Sequence, residues 1–170
     1  MIRSFKGKTP RIAESALVSE DACIVGDVEI GEGSSVWPGA VIRADCSALQ
    51  PGLRTTIGSN THIEDNAVVH ATETIGNNVV IGHGAVVEAF KIGNNVLIGD
   101  NATVLTFAEI GDFCIIGAGA VVRQGMKIPD RSFVVGAPAT IKAELSEKQL
   151  ATIEETLDGV KVLLAAYGED

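Results

Sequence analysis

Several ionisable side chains stand where a repeating pattern otherwise favours glycine, and their types suit metal binding or proton transfer. Eight aliphatic positions of this repeat are followed at once by Gly, but Arg43, Glu64, His70 and Glu88 follow other aliphatic positions of it. His70 and Glu88 are 18 residues apart. If 18 residues make one turn of a regular coil, these two side chains lie one above the other and can share a ligand.

The aliphatic residues that set this pattern recur at every sixth position. They form three runs, from Ile12 to Ile42, from Ile57 to Val87 and from Ile92 to Val134. This period is typical of a parallel β-helix, in which each short strand buries its aliphatic side chain against the same position of the coils above and below. Three hexads make one triangular coil, so the twenty positions predict an all-β prism of about seven coils.

The six-residue register fails twice, each time beside a candidate site residue. Residues 46–55 must leave the prism as a loop, for which Pro51 and Gly52 supply the turn. Between Val87 and Ile92 one residue is missing, so we expect a local adjustment at a corner of the prism.

His83 lies two residues after Ile81, nearly a whole face of the prism away from Glu88. Five extended residues span about 15 Å, so one chain cannot bring His83 to His70 and Glu88. A neighbouring prism in a closed ring of three can do so. The spacing is therefore compatible with a catalytic zinc shell of His70 and Glu88 from one subunit and His83 from the next. The alternative is that each histidine is an ordinary hydrogen-bonding surface residue.

Composition limits the possible partners. The chain has 170 residues, a hydrophobic content of 46%, an aromatic content of only 4% and a net charge of −9. Such an acidic chain lacks the basic surface that nucleic acid or an anionic membrane requires. Residues 1–11 contain no apolar stretch of the length of a signal peptide, and no apolar run in the chain is long enough to span a membrane, so we expect a cytoplasmic protein. Three cysteines, an odd number without metal-binding spacing, do not predict a disulfide framework.

The repeat ends near residue 140, and the remaining segment, 141–170, is predicted as a C-terminal helix. Ser146 and Gln149 have the spacing of a capping box. One apolar stripe follows at helical spacing and runs from Leu150 to Tyr167. Gly159 weakens the helix, so we expect it to pack on its own prism, residues 1–140, or on a neighbouring subunit.

Several stretches of the chain resemble the gamma-class carbonic anhydrases, a group of hexapeptide-repeat proteins. The resemblance covers nearly the whole chain and is carried by SVWPGAVIRAD (34–45), NTHIEDNAVVHAT (60–72), IGNNVVIGHGAVVEAFKIGNNVLIG (75–99), IGAGAVV (116–122) and VVGAPA (134–139). It implies a left-handed β-helix, an exception to the usual right-handed crossover. It also implies a homotrimer with metal sites at the subunit boundaries.

The family's site residues carry over to individual positions of this chain. His70 and His83 match two of the family's three metal-binding histidines, and Glu88 stands at the third position. Arg43 and Asp45 match the family's Arg-x-Asp motif. Asp65 matches a second acidic residue of an ionic network that crosses the boundary and orients substrate. The same network is equally compatible with trimer cohesion alone.

At three further positions the sequence differs from the family pattern. Glu64, an expected catalytic residue, stands where the family typically has Gln, and His62 replaces a usual Asn. The acidic loop of archaeal relatives, which is thought to shuttle protons, is absent between His70 and Ile75. Glu73 is a weak substitute for that loop.

The resemblance implies reversible hydration of carbon dioxide to bicarbonate by a metal-bound hydroxide. We expect zinc, with iron(II) or cobalt as alternatives, and reduced activity because Glu88 donates negative charge to the metal. Two other functions remain open. One is a coenzyme A-dependent acyltransferase with a single histidine base, and the other is a non-catalytic trimeric scaffold whose site has decayed.

Overall fold

Short strands wind into three sheets, parallel except for the last strand, in the computed structural model, which describes residues 1–45 and 52–167. Sheet 1 consists of β1 (Ile2–Arg3), β4 (Cys23–Gly26), β7 (Val41–Ala44), β10 (Val68–His70), β13 (Val86–Val87), β16 (Thr103–Val104) and β19 (Val121–Val122). Sheet 2 consists of β2 (Arg11–Ile12), β5 (Val28–Ile30), β8 (Thr55–Ile57), β11 (Thr74–Ile75), β14 (Lys91–Ile92), β17 (Glu109–Ile110) and β20 (Lys127–Ile128). Sheet 3 consists of β3 (Leu17–Val18), β6 (Ser35–Val36), β9 (His62–Ile63), β12 (Val79–Ile81), β15 (Val96–Ile98), β18 (Ile115–Ile116), β21 (Ser132–Val135) and the final strand β22 (Thr140–Glu144).

The chain visits sheets 1, 2 and 3 in turn and then repeats, so each set of three strands makes one coil. This confirms the predicted parallel β-helix of about seven coils. The aliphatic positions of the hexad face inward and form one continuous core, in which every position from Ile24 to Val134 is buried. Burying each such side chain contributes about 1.5–3 kcal/mol. Only the first two positions, Ile12 and Val18, are partly exposed, because they belong to the open end of the prism.

Both breaks in the register fall at the corner between sheets 1 and 2, which we call the 1–2 corner. Within the predicted loop, residues 46–51 lie outside the described part of the chain, and Pro51 of the predicted turn is among them. The missing residue after Val87 is absorbed by shared hydrogen bonds. The carbonyl of Phe90 accepts the N–H groups of both Glu73 and Thr74, at 3.2 and 3.4 Å.

The C-terminal segment differs from the prediction in its first residues. Strand β22 pairs antiparallel with β21 before helix α1 (Glu147–Tyr167) begins, so 141–170 is not helical throughout. The edge of sheet 3 offers unpaired backbone groups, and the returning chain covers them. The predicted capping box forms, with the Ser146 N–H donating to Gln149 Oε1 at 3.0 Å and the Gln149 N–H to Ser146 Oγ at 3.4 Å.

Helix α1 lies on its own prism, against the outer face of sheet 3. Ile153 and Leu157 are buried against Val80 and Ile115 of that sheet. The second half of the helix is less covered, and Val162 and Tyr167 are 73% and 57% exposed. Among the described residues, no helix is long and apolar enough to cross a membrane.

Candidate metal site at two corners of the β-helix

The 1–2 corner holds one half of the predicted site. His70 ends β10 and pairs in register with Arg43 of β7. Glu88 follows β13, the next strand of the sheet, and its Oε1 lies 3.6 Å from His70 Nδ1. The stacking expected from the 18-residue spacing is therefore observed. On the other side of the imidazole, Asp45 Oδ1 lies 3.5 Å from His70 Nε2.

Asp45 is fixed by Arg43 and presents one oxygen to the imidazole. Arg43 donates from Nε and Nη2 to Asp45 Oδ2, at 3.1 and 2.9 Å. The other oxygen, Oδ1, is buried and accepts no hydrogen bond from the described residues. Because a buried carboxylate oxygen without a partner is costly, this atom requires a donor or a cation. Among the described residues, His70 Nε2 lies 3.5 Å from this oxygen and is a candidate donor.

The corner between sheets 3 and 1, which we call the 3–1 corner, holds the other half. His83 Nδ1 lies 3.0 Å from Asp65 Oδ2, and His83 Nε2 lies 4.0 Å from Glu64 Oε2. The three residues offer donor atoms that all lie within 4.8 Å of one another, close enough to hold a metal ion. The backbone N–H of His83 donates to Asp100 Oδ1 at 3.1 Å, which anchors the turn that carries the imidazole.

Electrostatics at the 3–1 corner reflects the burial of Glu64. Its side chain is only 11% exposed. Burial raises the pKa of Glu64 above its ordinary value, and the nearby His83 opposes that rise. Beside these residues, an open groove of about 670 Å³ runs to the second half of α1, with Trp37 and Tyr167 on its wall.

The two corners flank sheet 1 at matching heights. Glu64 and Asp65 precede β10 and His70 ends it, whereas His83 precedes β13 and Glu88 follows it. These two coils thus place acidic or imidazole groups on both sides of sheet 1. Within one chain the predicted site is split: Arg43, Asp45, His70 and Glu88 lie together, and Glu64, Asp65 and His83 lie at the opposite edge of the sheet. The ionic network expected between Asp65 and the Arg43–Asp45 pair does not form inside one chain.

The donor atoms suit a divalent metal ion. Zinc binds imidazole nitrogen and carboxylate oxygen with bonds of about 2.0 to 2.2 Å, so two ligands of a tetrahedral ion lie about 3.4 Å apart. The 3.6 Å between His70 Nδ1 and Glu88 Oε1 is close to that separation. Iron(II) accepts the same combination of two imidazoles and a carboxylate.

The burial of His62, close to Glu64 in the chain, was not predicted from the sequence. His62 is fully buried on the outer face of sheet 3, where Ser35 Oγ lies 2.8 Å from its Nδ1. The indole N–H of Trp37 donates to the same Ser35 oxygen at 2.8 Å, which leaves the serine hydroxyl proton available for His62. Burial, together with the smaller effect of the nearby charge of Lys161, lowers the pKa of His62 to about 4. The repeat predicts that residues 35 and 62 stack on the same outer face of the prism. It does not predict that helix α1 packs over that face and buries them.

Comparison with known proteins agrees with this fold. Residues 54–89 and 91–124 match the family described as "Bacterial transferase hexapeptide (six repeats)". The chain is 44% identical to a protein from Methanocaldococcus jannaschii described as "Probable carbonic anhydrase", over 85% of this chain and 89% of the relative. The chain belongs to the gamma carbonic anhydrase-like family of hexapeptide-repeat proteins.

A plant relative and a solved structure are also similar to this gamma carbonic anhydrase-like chain. It is 32% identical to the mitochondrial gamma carbonic anhydrase 1 of Arabidopsis thaliana, over 96% of this chain, but it spans only 61% of that protein's length. A solved structure of a hexapeptide transferase family protein from Anaplasma phagocytophilum superposes with a TM-score of 0.89. The two chains are 27% identical, and the match covers 98% of this chain and 97% of the other.

Proposed function

We propose that this protein is a metal-dependent carbonic anhydrase of the gamma type, which interconverts carbon dioxide and bicarbonate at sites shared between the subunits of a homotrimer. The metal is held by His70 and Glu88 of one subunit and His83 of the next. Zinc is the proposed ion, and iron(II) and cobalt are the alternatives. One observation carries the proposal: His70 and Glu88 stack in register on one side of sheet 1, and His83 lies on the opposite side of that sheet.

A threefold arrangement joins the two halves of the site. If sheet 1 of each prism faces the threefold axis, the 3–1 corner of one subunit meets the 1–2 corner of the next. If the threefold axis is parallel to the long axis of the prism, equivalent coils of all three subunits lie at the same height. His83 of one subunit then lies level with Glu88 of the next subunit and one coil away from its His70. The outward side chains of sheet 1 support this assembly. They form a column in register that is apolar except at Thr103, which we call the apolar column and which consists of Cys23, Val41, Val68, Val86, Thr103 and Val121.

In the assembled site, the surrounding residues of this chain bind and orient the substrate. A bound zinc ion would lower the pKa of a water molecule toward neutrality, which supplies the nucleophile for carbon dioxide. Arg43 offers guanidinium N–H groups at the 1–2 corner that suit the oxygens of bicarbonate. Glu64, which burial favours in its protonated form, can donate a hydrogen bond to the same oxygens. Asp45 and Asp65 hold Arg43 and His83 in place.

Elemental analysis of anaerobically purified protein, combined with a carbon dioxide hydration assay, tests the proposal. We expect about one metal ion per chain and hydration activity that is lost on chelation and restored by the metal. His70→Ala and His83→Ala should each remove both the metal and the activity. A protein without metal and activity that is still trimeric would instead be a non-catalytic scaffold, and the proposal would be wrong.

A coenzyme A-dependent acyltransferase is the second candidate, favoured by the contact of His83 with Asp65. A histidine held at Nδ1 by a carboxylate is oriented to act as a general base through Nε2. The structural relative from Anaplasma phagocytophilum is described as a hexapeptide transferase. Release of free thiol from acetyl-coenzyme A by chelator-treated protein, with amine or hydroxyl acceptors present to take the acetyl group, distinguishes the two functions, because only the acyltransferase would work without metal.

A further inference from the structure

The two site histidines share a feature that their spacing does not require. Each imidazole has an aspartate at one ring nitrogen and a glutamate at the other. Asp45 lies 3.5 Å from Nε2 of His70 and Glu88 lies 3.6 Å from its Nδ1. Asp65 lies 3.0 Å from Nδ1 of His83 and Glu64 lies 4.0 Å from its Nε2.

We propose that Asp45 and Asp65 are positioning residues that fix the tautomers of His70 and His83, so that His70 binds the metal through Nδ1 and His83 through Nε2. This inference rests on the proposed metal site and adds to it the ring nitrogen that each histidine uses. A metal-binding histidine usually donates its other N–H to a carboxylate, which sets the tautomer and the ring orientation. The two aspartates occupy that position here.

The contacts of Asp45 separate its role from that of Glu88. Arg43 occupies Oδ2 of Asp45, and the buried Oδ1 has His70 Nε2 as its neighbouring donor. Glu88 has a side chain that is 33% exposed, and its Oε1 faces Nδ1 of His70. The more buried carboxylate therefore orients the ring, and the more accessible one faces the ion. The 3.5 Å contact of Asp45 is slightly long for a hydrogen bond, and such contacts often tighten when the ligand binds.

At the 3–1 corner, distance rather than burial assigns the roles, because Asp65 is more exposed than Glu64 but lies closer to the ring, at 3.0 Å against 4.0 Å. It selects the less common tautomer. The 3.0 Å contact is within hydrogen-bond range, and an ionised Asp65 can only accept, so Nδ1 of His83 must carry the proton. Nε2 is then unprotonated and available as a metal ligand. The 57% exposure of the His83 side chain leaves it accessible to the neighbouring subunit.

Two-bond ¹H–¹⁵N correlation spectra of metal-free protein test the tautomers directly, because the chain has only three histidines. We expect His70 and His62 to carry the proton on Nε2 and His83 to carry it on Nδ1. In Asp65→Asn, His83 should shift toward the Nε2–H form that free histidine prefers. On loading with zinc, the ¹⁵N shifts should place the metal on Nδ1 of His70 and Nε2 of His83.

Metal titration gives an independent measurement. Asp45→Asn and Asp65→Asn should each weaken zinc binding about 10- to 100-fold without abolishing it. Glu109→Gln, the same carboxylate-to-amide change on sheet 2, should leave affinity unchanged. An Nε2–H tautomer of His83 in the wild type, or wild-type affinity in both Asp variants, would overturn the inference. Complete loss of binding in Asp65→Asn would make Asp65 a direct ligand and would also overturn it. Failure of the wild-type protein to bind metal would instead count against the proposed function.

Discussion

At the scale of single residues, Glu88 decides how this site differs from a three-histidine site. It stands where a third histidine is expected from the family, and its carboxylate lies 3.6 Å from His70 Nδ1. A carboxylate ligand donates negative charge to a metal, whereas an imidazole is neutral. The structure places Glu88 where it can act in this way.

The substitution Glu88→His should raise the rate of carbon dioxide hydration at neutral pH while metal content is maintained. Each unit by which the pKa of the reacting water falls increases its ionised fraction about tenfold at a pH below that pKa. Stopped-flow hydration assays from pH 6 to 9 measure this effect as an acid shift of the rate profile. Glu88→Gln is the matched variant, because it removes the charge and retains an oxygen donor. If Glu88→His changed neither metal content nor rate, Glu88 would have no part in the site.

At the scale of elements, the hexad predicts most of what positions the site. Spacing alone placed Glu88 above His70 because both belong to sheet 1 within an unbroken run of the repeat. It also separated His83 from them. What the repeat does not encode is contact outside the prism. The pairing of β22 with β21 and the cover of His62 by α1 depend on the C-terminal segment, whose docking surface could not be deduced from its own pattern.

The cover of His62 by α1 predicts a pH dependence of stability. The folded protein lowers the pKa of His62 from 6.5 to about 4. Between these values the unfolded chain binds a proton that the folded chain excludes, so stability is full above pH 6.5 and falls as the pH approaches 4. This contribution is lost progressively and amounts to about 3 kcal/mol.

Urea denaturation of wild type and His62→Asn at several pH values and one protein concentration measures this contribution. Asn is the residue that the family usually has at this position, and it does not titrate. Because carboxylates also titrate in this range, the relevant quantity is the difference between the two proteins. As the pH falls from 6.5 to 4, the free energy of unfolding of wild type should decrease more than that of His62→Asn. A difference that does not vary with pH would show that His62 is not excluded from protonation in the folded state.

At the scale of the whole molecule, the apolar column on sheet 1 predicts self-association. Val86 is 38% exposed in the single chain and lies between Glu88 and the 3–1 corner. In Val86→Glu, three charges would meet near the threefold axis, so the trimer should dissociate while the strand content stays unchanged. Light scattering should then give 17.6 kDa in place of about three times that mass. Val162→Glu, at a more exposed position on α1, is the control and should remain trimeric. A trimeric Val86→Glu protein would show that sheet 1 does not face the axis.

If each site is shared between two subunits, mixed trimers of two inactive variants should recover a calculable fraction of the metal sites. His70→Ala and His83→Ala each remove one half of every site, so neither homotrimer should bind metal. In trimers assembled from equal amounts of both variants, about a quarter of the boundaries combine an intact 1–2 corner with an intact 3–1 corner. Metal analysis after joint refolding should therefore recover about a quarter of the wild-type content.

A second mixture shows whether that recovery reflects shared sites. Wild type refolded with the double variant His70→Ala/His83→Ala should also give about a quarter, since a site needs two adjacent wild-type chains. If each chain held its own metal, the mixture of single variants would stay empty, and the mixture with the double variant would recover about half. The ratio of the two mixtures is thus one for sites between subunits and zero for sites within them. Because both mixtures contain the same substitutions, a difference in refolding between the variants cannot imitate this result.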